Sequence, residues 1–456
     1  MGDLSPALLT DLYEFTMAAA LVAEGKADLP SVFSLFIRRL PPSRGFLVAT
    51  GLDDVLRFLD ALAFTPEDVA ALERLFPFDG AFLDWLPRVR FTGRVRAVPE
   101  GRIVFAGEPL LEIEAPFAEA QLLETYLLNQ MTFQTAIATK AARCRHAAGG
   151  RALVDFSLRR THGTDAGMKA ARCAALAGFA GTSNVAAAGR WGMPASGTMA
   201  HSFVTAFDSE LEAFRAFARH HRADPVLLVD TYDTATGVDH AVVVARELAA
   251  EGRRLAAIRL DSGDLGSLAR MARERLDTAG FHDVKIFASG GLDEYGIAQL
   301  VAAGAPVDGF GVGTAFGVSE DAPTLESVYK LVEIDGRPVF KASTGKATLP
   351  GAKQVWRRPG FAGDILALAG EAAPAAGAKP LLEVVEPAAA PDPVAAVAEA
   401  RARFESDWEH LPPEVRDLHS PRPVALERSP ELDDLSRTLT KGRSDRESAE
   451  GNRGSA

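Results

Sequence analysis

Cysteine is scarce in this sequence: Cys144 and Cys173 are the only two among 456 residues. They form no Cys-x-x-Cys pair, so neither a thiolate zinc site nor a disulfide framework is expected, and a reducing cytoplasm fits. Basic residues are in deficit, 49 Lys and Arg against 61 Asp and Glu, for a formal net charge of -12. That balance argues against nonspecific nucleic-acid binding, which needs a cationic surplus to neutralise phosphates. It leaves small anionic ligands open, because local arginines can outvote the global charge. No uninterrupted apolar run approaches the length of a membrane span. The start, "MGDLSPALLTDLYEF", lacks a basic stretch followed by an apolar core, so no secretory signal is expected. Short tandem repeats are absent too. What is present is ordinary for a globular protein, 47% hydrophobic and 24% charged residues, with length for two or three domains.

The N-terminal third mixes helices and strands. "PALLTDLYEFTMAAALVAEG" has helical spacing and ends at Gly25, and "SVFSLFIRRLP" is β-rich. "LDDVLRFLDAL" and "TPEDVAALERLF" read as helices, "VRFTGRVRAVPEGRIVFAGEPLLEIEAPF" as short strands cut by Gly and Pro, and "AEAQLLETYLLNQMTFQTAIATKAARCRHAA" as a long helical tract. From about Arg151 to Ser319 a buried strand, a polar loop and a helix recur every twenty to thirty residues or so, the rhythm of a β/α barrel. The strand ends read "ALVDFSLRRTHG", "GFAGTSN", "SGTMAHS", "VLLVDTYDT", "AAIRLDSGD", "VKIFASGG" and "VDGFGVGT". In such a barrel these ends share one face and converge on one site. After it, "LESVYKLVEIDGRPVFKAS" predicts a hairpin turning at Asp335-Gly336, "LAGEAAPAAGAKP" a loop, and "SDRESAEGNRGSA" a disordered tail. The expected domains are 1–135, 136–325 for the barrel with the active site, a returning segment 326–435, and a disordered tail 436–456.

Three residue types at the strand ends carry chemistry. Glycines in "ASGGL" and "GFGVGT" let backbone N–H groups approach an anion, and the last two strand loops of a barrel are its usual phosphate site. The bland alternative is a pair of tight turns. "GVGT" lacks a following Lys, so it is not a nucleotide P-loop. Arg159 and Arg160 stand at one strand end, where alternation lets one of the two face the pocket, and Arg259 interrupts the apolar strand "LAAIRL". A guanidinium matches carboxylate or phosphate bidentately. Asp230, Asp233, Asp261 and Asp264 can grip ribose hydroxyls, hold Mg²⁺ together with substrate phosphates, or orient a histidine. Helix N-capping is the competing role, stronger for Asp233 and Asp264. His201, in "GTMAHSFVTAF", reads by itself as a packed structural histidine rather than a reactive group, as a lone histidine beside an apolar segment does by default.

"LLTDLYEFTM", "SLRRTHGTDAGMKAA", "GFAGTSNV", "GTMAHSF", "VDTYDT", "RLDSGDL" and "GFGVGT" occur in this order, with "KQVW" further on. Together they resemble nicotinate phosphoribosyltransferases from Leu8 to at least Trp356. The resemblance implies an α/β protein with an irregular β/α barrel of the type II phosphoribosyltransferases. A smaller α/β domain built from both chain ends accompanies it. It implies synthesis of nicotinate mononucleotide and pyrophosphate from nicotinate and phosphoribosyl pyrophosphate, in NAD biosynthesis, with Mg²⁺ and with ATP as co-substrate. ATP hydrolysis is coupled through a phosphohistidine, here His201, whose imidazole Asp230 is expected to hold. Phe156 and Tyr13 sandwich the pyridine ring, Tyr13 from the neighbouring subunit, which makes a homodimer. Arg159, Arg259 and Asp261 bind the phosphoribosyl part or the nicotinate carboxylate, and Thr198 lies near the ring. Ser289, Gly290, Gly291, Gly311, Gly313 and Thr314 hold the 5′-phosphate. No metal ligand is assigned, Mg²⁺ being held mainly by substrate phosphates. Where many relatives read Ala-Gln-Gly, this chain has Thr161-His162-Gly163, and His162 receives no role.

The chemistry agrees. Breaking the ribose–pyrophosphate bond gives an oxocarbenium-like centre and a highly charged leaving group, which call for Mg²⁺ and cations more than for a strong base. The alternatives are a nicotinamide or quinolinate enzyme, and a non-catalytic phosphate-ligand sensor on the same barrel. Nicotinamide enzymes of related fold place an aspartate where this chain has Ser183. Ser183 removes a fixed negative charge that would repel a carboxylate, so the acid is favoured. A quinolinate enzyme should be shorter and carry more basic residues.

Overall fold

The computed structural model describes residues 5–341, 343, 348–388 and 392–453, with 443–453 described by their helical backbone alone. It divides into two compact units. One comprises Ile137–Pro323 and Pro393–Arg401, and the other the two chain ends with 324–392.

The Ile137–Pro323 unit is built on six parallel strands. Their order across the sheet is Gly181–Thr182, Ala152–Asp155, Gly309–Val312, Lys285–Ala288, Ala257–Leu260, Val226–Leu228. Most of these runs are apolar and buried, as strands covered on both faces must be. The first and last strands in sequence are neighbours, Gly309↔Ala152 through Val312↔Asp155, which curls the sheet into an incomplete barrel. The ladder opens between the outer strands Gly181–Thr182 and Val226–Leu228. The seventh expected strand, "SGTMAHS", is not one; only Ala195, just before it, makes a single bridge there, to Thr182. Thr182 pairs with Pro194 and Ser196 through backbone hydrogen bonds, and from Gly197, which weakens a ladder, the segment runs on irregular. Because the strands are parallel, their C-terminal ends lie along one edge. Asn184, Ser209, Asp233, Asp264 and Asp293 each accept a backbone N–H at the start of the helix that follows. Asp233 and Asp264 therefore act as helix caps, the bland reading of both.

The chain-end unit is α/β, with an antiparallel six-stranded sheet and a four-stranded one. Pro30–Ile37 lies between Ser327–Ile334 and Pro109–Pro116, so a strand from late in the chain pairs directly with a central one from its start. It is the larger of the two units rather than the smaller, since segments from both ends contribute strands and helices to it. The hairpin turns at Asp335 (φ 50°) and Gly336 (φ 67°), both left-handed, as a tight turn between twisted strands requires. Leu12–Ala23 is helical, and Thr65 and Asp68 close a reciprocal capping box at the start of Pro66–Leu75. The final helix spans Pro430–Arg453 and so runs through most of the segment expected to be disordered. It is anchored early by Leu432, which is buried in the core. Residues 454–456 of that segment lie outside the described residues.

Candidate active site

The parallel edge gathers the sequence motifs as expected, and its contacts assign their side chains. Phe156 follows the strand that ends at Asp155. Its ring lies over the backbone of Gly311, where a Cβ would come 2.3 Å from Phe156 Cε2. Two residues earlier on the same strand face, Gly309 makes the same room for Phe287, a Cβ there meeting Phe287 Cε2 at 2.6 Å. The two rings stand 6.4 Å apart, tilted by 50°. Gly311, assigned to phosphate, is thus a buried strand residue whose missing side chain seats an aromatic ring.

Arg259 is in register with Phe287. Its guanidinium carbon lies 6.0 Å from the centre of the Phe156 ring, and Nη2 donates to the Met199 carbonyl at 3.2 Å. Its Nε is buried with no hydrogen-bond partner. Burial holds the Arg259 pKa below its usual value; the carboxylates of Asp261 and Asp230 oppose that, and the like charge of Arg159 adds to it. Of the adjacent pair, Arg159 is therefore the one whose field reaches this place, although both are exposed. A half-buried cation near another cation, with its buried Nε donor unspent, is suited to an anion.

Asp230 does not hold His201. Its Oδ2 accepts from the Asp261 N–H at 2.9 Å and the Ser262 hydroxyl at 2.7 Å, and its Oδ1 is buried without a partner. Oδ2 thus ties two neighbouring strand ends together. His201 opens the short helix His201–Thr205 with its side chain half-exposed. Its Nδ1 meets Thr231 Oγ1 at 3.2 Å, and the nearest carboxylate oxygen to Nε2 is Asp261 Oδ2 at 4.0 Å. His201 and Met199 thus bind across the opening of the ladder, to the strand ends at Thr231 and Arg259.

Ser289, buried, donates its hydroxyl to Asp261 Oδ1. Gly290 has φ 92°, and a Cβ would sit 1.8 Å from the Asp261 carbonyl oxygen, so only glycine fits. Gly291 has φ 66° and open space beside it. Gly313 precedes the short helix Thr314–Gly317, with Thr314 exposed at its first position. The two glycine turns leave adjacent strands, since Phe287 pairs with Gly309 and Ala288 with Phe310. Ser183, half-buried, donates its N–H to the Asp155 carbonyl at 2.8 Å, and Thr198 Oγ1 donates to the Met199 carbonyl at 3.3 Å. Tyr13 belongs to the other unit and is 46% exposed.

Two family models cover these elements: the nicotinate phosphoribosyltransferase N-terminal domain over residues 8–132 and the nicotinate phosphoribosyltransferase family over residues 151–354. The chain belongs to the nicotinate phosphoribosyltransferase family. It is 53% identical over 373 residues to nicotinate phosphoribosyltransferase pncB2 of Mycobacterium tuberculosis, covering 81% of this chain and 80% of that one. It is 43% identical to the Bacillus subtilis nicotinate phosphoribosyltransferase, over 78% of this chain and 74% of the relative. The crystal structure of the human nicotinic acid phosphoribosyltransferase superposes with a TM-score of 0.85 at 32% identity, covering 95% of this chain and all of that one.

Some features of this nicotinate phosphoribosyltransferase family member have no local sequence signal. Asp155 is fully buried and accepts from the Ser157 N–H at 2.8 Å and the Thr182 hydroxyl at 2.7 Å. Burial pushes its pKa up while those hydrogen bonds oppose it, and it fixes the turn that presents Phe156. In the chain-end unit a cavity of about 260 Å³ is lined by Arg38, Arg39, Lys353 and Arg428 around Phe36 and Leu366. Arg38 Nε is buried there without a partner, so this cavity too is suited to an anion. Among the described residues no helix is long and apolar enough to cross a membrane.

Proposed function

We propose that this enzyme makes nicotinate mononucleotide and pyrophosphate from nicotinate and phosphoribosyl pyrophosphate, coupled to ATP hydrolysis through His201, as a homodimer with shared sites. The observation that carries the reading is the pairing of Phe156 with Arg259. A flat apolar ring beside a half-buried guanidinium whose buried Nε lacks a partner fits an aromatic carboxylate. The pyridine nitrogen attacks the anomeric carbon of the ribose as the bond to pyrophosphate breaks. The chain's residues orient: Phe156 takes one face of the ring, Arg259 with Arg159 takes carboxylate or phosphate, and the 289–291 and 313–314 turns offer backbone N–H groups to the 5′-phosphate. Ser183 leaves no fixed negative charge near the acid.

Among the described residues no cluster of three His, Cys, Asp or Glu side chains makes a metal cage. The unpartnered Oδ1 of Asp230 and the nearby Asp261 instead fit Mg²⁺ shared with substrate phosphates, where the ion would neutralise the leaving group. Thr231 on Nδ1 leaves Nε2 of His201 to attack the γ-phosphate of ATP, breaking its bond to the β-phosphate oxygen and releasing ADP. On the helix Leu12–Ala23, Leu12, Tyr13 and Met17 are 50%, 46% and 38% exposed, and Leu9 just before it is 63% exposed, an apolar patch that a second copy would cover.

The test is release of pyrophosphate on mixing the protein with nicotinate, phosphoribosyl pyrophosphate and Mg²⁺, with and without ATP. Nicotinate-dependent release that ATP stimulates supports the reading, and release equal with and without ATP removes the coupling. No release in either arm overturns it.

A further inference from the structure

Glycine turns gain approach to an anion at the expense of rigidity, since glycine has the most backbone freedom to lose. The 289–291 and 313–314 turns must nonetheless stand at a fixed spacing to share one phosphate, because small misplacements cost large factors in rate or affinity. Each turn runs into a carboxylate soon afterwards. Glu294 is the first residue of the helix that follows Gly290 and Gly291, and is fully buried. Asp321 follows the short helix that Thr314 opens, held by a turn in which Ser319 (φ 49°) donates its hydroxyl to the Ala322 carbonyl at 2.8 Å.

Both carboxylates meet one ammonium. Lys140, on the helix Glu124–Ala148, places Nζ 2.5 Å from Glu294 Oε2 and 2.9 Å from Asp321 Oδ1, with its side chain 1% exposed. One turn further on, Arg143 Nε donates to the other oxygen, Glu294 Oε1, at 2.9 Å, and Nη2 donates to the Tyr295 hydroxyl at 2.9 Å. The group pairs two cations with two anions. It therefore adds no net charge beside the turns, and what it supplies is position. Taking such charges out of water costs several kcal/mol per ion, so a buried ion cluster is poor evidence of stabilisation and better evidence of specific placement. The attraction of Glu294 and Asp321 outweighs burial and keeps the Lys140 pKa above its ordinary value, so the clamp stays charged.

We propose that Lys140 is a positioning residue that clamps the two glycine turns to one helix and so sets the spacing of the 5′-phosphate site. The proposal rests on the phosphoribosyltransferase reading of those turns. The test uses Lys140→Met and Asp321→Asn in the full-length protein. Steady-state kinetics are measured for both substrates, ribose 5-phosphate binding by calorimetry, and melting by calorimetry. Asp321→Asn leaves the buried Lys140–Glu294 pair in place, so it reports even if Lys140→Met fails to fold. The expected result is a KM for phosphoribosyl pyrophosphate, and a dissociation constant for ribose 5-phosphate, raised about tenfold, with KM for nicotinate within about threefold of wild type. Asp321→Asn with wild-type affinity for both phosphorylated ligands overturns the proposal. So does an equal change in the nicotinate KM. If the wild-type protein itself neither turns over nor binds ribose 5-phosphate, the reading of the turns as a phosphate site falls instead.

Discussion

Gly311 and Phe156 are in direct contact, the ring lying where a side chain at 311 would have to be, 2.3 Å from Phe156 Cε2. Gly311→Ala must push the ring off its seat or bend the strand that carries both Gly309 and Gly311. Overpacking of this kind costs on the order of 1–3 kcal/mol. Gly313→Ala meets only the Phe156 carbonyl oxygen at 3.5 Å, an ordinary contact, at a negative φ. The expected outcome is a split. Gly311→Ala lowers the melting temperature and raises KM for nicotinate, while Gly313→Ala leaves the ring seated, keeps KM for nicotinate and raises KM for phosphoribosyl pyrophosphate. Calorimetry with steady-state kinetics checks both, and equal behaviour of the two variants would refute the assignment.

Selectivity for the acid should depend on Arg259, whose buried Nε lacks a partner. Loss of a charge-assisted contact to the carboxylate costs about 2–3 kcal/mol, roughly a hundredfold. Arg259→Gln should therefore lower the ratio of kcat/KM for nicotinate over nicotinamide by about that factor. A drop for both substrates alike would move Arg259 from the carboxylate to the phosphoribosyl group.

Strand ends were legible because an apolar run followed by Asp, Ser or Gly is a local pattern, and six of the seven such runs are strands of the sheet. The seventh failed for a local reason as well: the pairing with Thr182 stops at Ser196, and Gly197 just beyond weakens any continuation. Partners across strand ends were not legible. Whether Asp230 faces His201 or the Asp261 N–H depends on the parallel register of Val226–Leu228 against Ala257–Leu260, which no spacing encodes. The central pairing of Pro30–Ile37 with Ser327–Ile334 and the Lys140 cluster are equally long-range, and the former puts elements from both ends of the chain into one sheet.

Glu14 predicts a pH signature. It sits beside Tyr13 in the helix Leu12–Ala23, fully buried, and burial raises its pKa from 4.5 to about 7 although the Gln121 amide donates to it. A carboxyl whose folded pKa lies above its unfolded one favours folding only while protonated. As pH rises from about 4.5 to about 7 the unfolded chain sheds the proton first, and stability falls by on the order of 3 kcal/mol before levelling. Glu14→Gln should remove that slope. Melting temperature measured from pH 5 to pH 8 should decline less in the variant than in wild type, and parallel curves would mean that Glu14 ionises normally.

The histidine prediction follows from the contact that replaced the expected one. With Thr231 on Nδ1, the half-exposed Nε2 of His201 is the nitrogen available to a phosphoryl group, and Asp261 Oδ2 is the carboxylate nearest to it. The pyridine nucleophile needs no general base, so the imidazole has no evident task in the glycosyl transfer itself. Its phosphorylation would add charge beside the leaving pyrophosphate and order the segment that spans the opening of the ladder. His201→Ala should abolish ATP hydrolysis and labelling from γ-³²P-ATP while retaining a slower, ATP-independent synthesis of the mononucleotide. Thr231→Val keeps the acceptor and removes only the contact that orients it. Labelling should slow by about tenfold, the lower part of the loss seen when ligand-orienting partners are deleted. Asp230→Asn, by contrast, should act on the coupling of strand ends, raising KM for phosphoribosyl pyrophosphate more than it slows labelling. Acid-labile label persisting in His201→Ala would place the phosphate on another residue, and His162, in the turn after Arg160, is then the first to examine.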